Sequence, residues 1–276
     1  MEISGKTKIT GIFGYPVEHT LSPAMQNAAF RSCGLDYCYV PFLVHPDFLG
    51  QAVQAVRALN LAGVNITIPH KEKVIPFLDH VDEEALFIGA VNTIVNKAGE
   101  LTGYNTDGRG FMESLRENGI SPEGKDVLII GAGGGARAVG YYLCQKARSL
   151  SVQGRTSEKA RQLVQDLSRI NTNTYHAENL TELDRFQIIV NATPLGLADK
   201  DPFPVHAESL SKGQVVCDLI YRETAFQREA LKRKCVVLNG LGMLVWQGAL
   251  AFELWTGMKP DIEIMRRSLR EASGEE

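Results

Sequence analysis

"VLIIGAGGGARAVGYYLCQKA", residues 127–147, decides how the rest of the chain is read. Four apolar residues end at Gly131, glycines follow, and a helical pattern begins near Gly135. The core of the stretch, GAGGGA (131–136), fits G-x-G-x-x-[GA] set between a strand and a helix. In that setting Gly131 permits a tight turn, Gly133 lets the backbone approach a pyrophosphate, and a small third residue, Ala136, allows close helix–strand packing. Phosphate then sits on the free N–H groups of the helix start. An acidic residue about twenty positions on usually takes the ribose hydroxyl of NAD. Here that place reads VQGRTSEK (152–159), with Arg155 where a carboxylate is wanted and Thr156 and Lys159 behind it. A guanidinium makes paired hydrogen bonds to phosphate and stacks on adenine, so NADP is favoured over NAD.

Strand and helix alternate on both sides of this turn. Towards the N-terminus, KITGIFG (8–14), YCYVPFLV (37–44) and GVNITI (63–68) read as strands. SPAMQNAAFRSCG (22–34) and DFLGQAVQAVRALN (47–60) read as helices, with Ser22 as a fair N-cap and Pro23 in the first turn. AVNTIVN (90–96) and LTGYNTD (101–107) flank KAGE as a hairpin, and a helix runs from about Gly108 to Asn118. The composition of GISPEGKD (119–126) marks a boundary. Beyond the glycine turn, 149–155, 186–193, 214–220 and 235–240 read as buried strands, 157–168 as a helix, and Met243 to Trp255 as a final amphipathic helix. The fold class is α/β, with two domains favoured by the length of 276 residues.

Composition narrows the function classes. Net charge is −3 and the basic residues are dispersed, which argues against a nucleic-acid partner. The triplet Lys232-Arg233-Lys234 reads as the solvated end of a helix. Five cysteines without C-x-x-C spacing point to a reducing, cytoplasmic setting, and six scattered histidines give no metal site. No apolar run approaches membrane-spanning length.

HTLSP (19–23), NITIPHK (65–71), GAVNT (89–93), NTDG (105–108), NATPLG (191–196) and GLGMLVWQGALAFELWTG (240–257) complete the pattern. Together and in this order they resemble the shikimate dehydrogenase family, from about Gly11 to Gly257. The resemblance implies an N-terminal α/β substrate domain, residues 1–107, completed by a C-terminal helix at 241–276. It also implies a Rossmann NADP-binding domain at 108–240 and reduction of 3-dehydroshikimate to shikimate with NADPH. Lys71 matches the catalytic lysine and Asp107 its aspartate. Thr20, Ser22, Thr67, Asn92, Tyr221 and Gln247 match positions that hold the substrate's hydroxyls and carboxylate. Gly131, Ala132, Gly133, Gly134 and Gly135 match cofactor contacts, as do Gly154, Arg155, Thr156, Ser157, Glu158 and Lys159, then Leu219, Gly240 and, near the nicotinamide, Glu83. The chain departs from the family's usual motifs in three places. Thr20 replaces a serine, Gly154 replaces the asparagine of an N-R-T triplet, and Leu197 replaces a methionine.

Hydride reduction of a ring ketone leaves negative charge on oxygen, and a lysine ammonium supplies both positive charge and the proton. Asp107 would orient that ammonium through a charge-assisted hydrogen bond. Uncharged Thr20, Ser22, Asn92 and Gln247 suit a polyhydroxylated ring. Taken singly, Ser22 reads as a helix cap, Asn92 as a hairpin backbone partner and Trp255 as core. His70 reads as a neighbour of the site or an exposed residue. Two alternatives share the fold: an NAD-preferring quinate/shikimate dehydrogenase, which residues 154–156 would discriminate, and a catalytically silent NADP-binding regulator. Assembly stays open between monomer and homodimer.

Overall fold

The computed structural model describes residues 3–178, 180, 182–198 and 200–274. The chain divides into two compact units, Met1–Thr106 with Val245–Glu276, and Asp107–Leu244.

The first unit is built on a six-stranded mixed sheet. Strands β1 (Lys8–Gly14), β2 (Tyr37–Leu43) and β3 (Gly63–Ile66) are parallel, with β1 in the middle. β5 (Thr93–Lys97) runs antiparallel to β3 and returns through β6 (Glu100–Tyr104), which carries β4 (His80–Val81) at the edge. The β5–β6 hairpin closes on Lys97 opposite Glu100, and its two central residues, Ala98 and Gly99, have φ of 55° and 92°. Two positive φ values are what a tight two-residue hairpin turn requires. Helix α2 (Leu49–Ala58) buries Leu49, Val53 and Val56 among Val64, Ile66, Ile94 and Leu101 of the sheet. Helix α1 (Ser22–Ser32) starts after Leu21, with no side-chain cap. Ser22 is therefore the first helical residue and not the cap, so its hydroxyl is available elsewhere.

Helix α8 (Leu241–Thr256) is apolar around much of its circumference and buries Ala249, Ala251, Phe252 and Trp255. It passes so close to α1 that a Cβ on Gly248 would strike Met25. The single C-terminal helix expected at 241–276 is two helices: the chain turns at Gly257 (φ 72°) and forms α9 (Ile262–Ser273). The Asp261 carboxylate caps α9 by accepting the N–H groups of Glu263 (2.8 Å) and Ile264 (3.2 Å). Only Met265 and Leu269 are buried on it, but Ile262, Met265 and Leu269 share one face at helical spacing, so the helix is legible in the sequence. Short α3 (Glu83–Ile88) is hidden in the sequence.

The second unit opens with α4 (Asp107–Glu117). Its sheet is wholly parallel: β7 (Asp126–Ile130), β8 (Ser149–Gln153), β9 (Thr174–His176), β10 (Ile188–Asn191), β11 (Val215–Asp218) and β12 (Val236–Leu238). The order β12-β11-β10-β7-β8-β9 reverses direction between β7 and β10, the arrangement of a doubly wound dinucleotide-binding sheet. Helices α5 (Gly134–Cys144), α6 (Ser157–Leu167) and α7 (Ala225–Lys232) connect its strands. The last ends at the basic triplet. Residues 119–125 are a loop inside this unit, and the division between units falls earlier, at Asp107. Helix α4 belongs with α5, where a Cβ on Gly108 would meet the Ala138 carbonyl and the Tyr142 ring.

All five cysteines are free thiols. Burial pushes Cys144 and Cys217 up to about 12, which leaves them as protonated packing residues. Among the described residues no helix is long and apolar enough to cross a membrane.

Candidate active site

In the first unit, residues 67–71 leave the end of β3 tied down on both sides. Thr67 N–H donates to Phe13 O (2.9 Å), Tyr15 N–H to Ile68 O (3.1 Å), and His70 N–H back to Thr67 O (2.9 Å). Val91 N–H donates to Lys71 O (2.8 Å), so the backbone of Lys71 is held beside the residue that precedes Asn92. Lys71 itself is half-buried.

His70 is neither exposed nor near the surface: it is fully buried, with Nε2 2.8 Å from Val44 O. The carbonyl can only accept, so Nε2 carries the proton; Nδ1 is buried with no partner among the described residues. Burial holds the imidazole below its ordinary value of 6.5, against the pull of the Val44 bond. A histidine that resists protonation only when folded gives stability that is complete above about 6.5 and is lost as pH falls below it. His70→Phe is therefore expected to lose less stability than the parent between pH 7.5 and 5.5, measured by urea denaturation. Identical acid losses would show that His70 titrates freely.

Asn92 is 2% exposed and its amide has one orientation. Thr106 N–H, which can only donate, points at Oδ1 (2.8 Å), and Thr93 Oγ1 adds a second bond (3.1 Å). Nδ2 is thereby turned to Thr106 Oγ1 (2.9 Å) and Gln247 Oε1 (3.4 Å). Beneath it, Asn65 donates through Nδ2 to Asn92 O (3.1 Å) and Thr93 Oγ1 (3.0 Å), and accepts at Oδ1 from the Tyr39 hydroxyl (2.8 Å). Ser22 reaches the same phenol, whose ionisation burial pushes far above the usual tyrosine range. Thr20 joins at the entry to α1, where its Oγ1 accepts Ser22 N–H (3.3 Å). So buried Ser22 and Asn92 and half-buried Thr20 and Gln247 are linked in one polar network, and Thr67 and Lys71 share one turn. The linking residues Tyr39, Asn65, Thr93 and Thr106 escape the sequence reading. Asn65 carries a signal, a polar residue inside the buried run GVNI that has to find partners.

In the second unit, Asp107 is buried at the start of α4 and Tyr221 is half-buried after β11. At the reversal point of the sheet, Gly131 has φ 119° and lies so close to the next strand's loop that a Cβ would sit 2.7 Å from Ala192 O. Gly133 is exposed, and nothing lies within 4 Å of where its Cβ would be, while Gly134 and Gly135 form the first turn of α5. This open, side-chain-free cradle at a helix N-terminus fits the pyrophosphate of a dinucleotide. A Cβ on Gly240 would meet the Leu219 carbonyl, and one on Gly135 would touch the Leu219 side chain at 3.5 Å. Leu219, Gly240 and Gly135 are thus brought together. Gly154 lies against Ala132: a Cβ there would be 3.5 Å from Ala132 Cβ and 3.3 Å from Ala160 Cβ. The glycine that replaces the family's asparagine lets α6 start this near to the glycine turn. Arg155, Thr156, Ser157, Glu158 and Lys159 are exposed at that start. Glu83 belongs to the first unit, where it is exposed on α3.

Three family models match the chain. Residues 12–94 match the shikimate dehydrogenase substrate binding domain, 115–196 match shikimate / quinate 5-dehydrogenase, and 240–270 match the shikimate 5'-dehydrogenase C-terminal domain. A shikimate dehydrogenase (NADP(+)) from Desulforamulus reducens is 47% identical, over 97% of this chain and 96% of its own. The shikimate 5-dehydrogenase of Thermus thermophilus, solved with NADP(H) and shikimate, superposes with a TM-score of 0.90 at 38% identity, over 96% of this chain and 100% of that one. The Listeria monocytogenes enzyme, solved with shikimate and NAD, gives a TM-score of 0.88 at 34% identity, over 97% and 98%.

Proposed function

Since this chain belongs to the shikimate dehydrogenase family, we propose that it catalyses the reversible, NADPH-dependent reduction of 3-dehydroshikimate to shikimate. One observation carries the reading: the similarity spans nearly the whole of both chains, so substrate-binding and cofactor-binding parts are present together. NADPH, when bound, would supply the hydride that reduces the ketone carbon. Lys71 Nζ gives its proton to the oxygen on which charge develops, and takes it back in the reverse direction. Asp107 is the carboxylate that orients this ammonium. Asn92, its amide already turned by Thr106 and Thr93, would exchange its long bond to Gln247 Oε1 (3.4 Å) for a ring hydroxyl, and Gln247 would offer its own amide beside it. Thr20, Ser22, Thr67 and Tyr221 complete the contacts to hydroxyls and carboxylate. A site whose polar groups are preset in this way discriminates against analogues that leave one unpaired. We further propose a cytoplasmic location, which suits five free thiols, and a monomer or homodimer as the working form.

Arg155 is the residue we assign to the adenosine phosphate, with Gly131–Gly135 around the pyrophosphate, Thr156 to Lys159 alongside, and Leu219, Gly240 and Glu83 further along the cofactor. The first experiment is a steady-state assay with 3-dehydroshikimate, following loss of reduced-cofactor absorbance with NADPH and with NADH. Oxidation with NADPH alone is the expected result. Arg155→Ala should then lower the NADPH-to-NADH ratio of kcat/KM by about 10–100-fold, the size of one charge-assisted hydrogen bond. An unchanged ratio would remove Arg155 from that role. Equal rates with both cofactors in the parent would favour the quinate/shikimate relatives, and no oxidation with either would favour a silent cofactor-binding regulator.

A further inference from the structure

Asp218 ends β11 with 1% exposure, and none of the roles above uses it. Its carboxylate accepts four hydrogen bonds. Oδ1 takes Asn191 Nδ2 (3.0 Å) and Ile220 N–H (3.2 Å), and Oδ2 takes Thr224 Oγ1 (2.9 Å) and Gln227 Nε2 (3.1 Å).

Each side-chain donor has its direction fixed independently. Asn191 Oδ1 accepts Thr193 N–H (3.1 Å), which turns Nδ2 towards Asp218. Thr224 Oγ1 accepts Gln227 N–H (3.1 Å), which leaves its own proton for Asp218. Gln227 Nε2 also meets the carbonyls of Ile220 (3.3 Å) and Arg222 (3.1 Å), which can only accept, so this atom is the amide nitrogen. A protonated carboxyl would turn a donor against one of these four donors. Burial raises the Asp218 carboxyl on balance, against the pull of its four donors; those four donors are arranged to receive the ionised form.

The four donors come from the end of β10, the segment after β11, and the cap and first turn of α7. The segments tied to this one carboxylate open the loops beyond β10 and β11. Asn191 holds Thr193 and Leu195 of the NATPLG loop, and Leu219 N–H donates to Asn191 O (3.0 Å). Ile220 O accepts Gly240 N–H (3.0 Å). In a doubly wound sheet the dinucleotide lies across the reversal point. With the adenosine half over β7 and β8, its other half falls on β10 and β11.

We propose that Asp218 is a positioning residue: its buried carboxylate sets the 191–196 and 219–222 segments together, and through them the nicotinamide half of the cofactor seat. This rests on the NADP reading given above. Its test compares two ligands in Asp218→Asn, after circular dichroism and a melting curve show a folded protein. NADPH should bind about tenfold more weakly or worse, as for one lost charge-assisted hydrogen bond. The fragment 2′,5′-ADP, which lacks the nicotinamide half, should bind as to the parent. Equal weakening of both ligands would reduce Asp218 to general support of the unit, and weakening of neither would give it no part in the seat; either overturns the proposal. Thr224→Val, which removes one donor, should repeat the pattern in milder form, and Thr224→Ser should restore the parent values. A serine variant no better than valine would also overturn it. Failure of the NADP reading would appear earlier and separately, as a parent protein that binds neither ligand.

Discussion

Lys71→Ala is expected to lower turnover by about 10²–10⁴-fold, the range for loss of a positioned proton donor. The Michaelis constant for 3-dehydroshikimate should move far less, because bonds among the network's own residues orient its amides. Asn92 is oriented by Thr106 and Thr93, and Asn65 by Tyr39 and the Asn92 carbonyl. The backbone of residue 71 is fixed by its carbonyl's bond to Val91, which alanine keeps. A fall in kcat with little change in KM is the signature of an interaction made in the transition state. Unchanged turnover in a folded Lys71→Ala protein would rule out the role. A large rise in KM at constant kcat would make Lys71 a binding residue instead.

Phe252→Ala should be the most damaging single truncation of the first unit. The ring is wholly buried on α8 and stacks on Phe30 of α1 at 4.9 Å, with Phe30 stacked in turn on Tyr37 of β2 at 4.9 Å. Removing it breaks the chain of rings that joins the C-terminal helix to the N-terminal sheet edge. Buried Phe→Ala changes cost about 3–5 kcal/mol, of which an aromatic pair accounts for about 1. At about 2–4 °C per kcal/mol for a chain of this class, the melting temperature should drop by roughly 6–20 °C. Calorimetry suits the measurement because a two-unit chain need not melt in one step. The loss should fall on a transition that shikimate stabilises. A shift below about 2 °C would mean that the cavity collapses and that Phe252 is not a keystone.

Much of this protein can be read without coordinates. The glycine turn at 131–136, the apolar runs ending in glycine, and the hairpin around Lys97 to Glu100 follow from local rules, since φ > 0, strand alternation and helix periodicity act over a few residues. These rules gave an α/β chain and a dinucleotide turn, and the ordered motifs gave the family. What local rules missed was one short element and one break between helices. Helix α3 spans only six residues, too few for a periodic stripe, whereas α9 carries a capping Asp261 and a regular apolar face and is missed only because it is not separated from the helix before it. Ser22 looks like a cap because its type and its proline neighbour fit one, but the helix takes it in as its first residue.

Only the tertiary structure decided which polar residues work together. Asn65 and Tyr39 are 26 positions apart, Asn92 and Gln247 are 155 apart, and Asn191 and Asp218 are 27 apart. Each pair exists because burial leaves a polar group no water and forces it onto whatever donor or acceptor the fold brings near. That partner is chosen by strand order and helix packing, which no stretch of sequence contains on its own. The sequence by itself determined which chemistry the chain carries; the fold decided which way each amide and carboxylate points, because those directions come from neighbours distant in the chain.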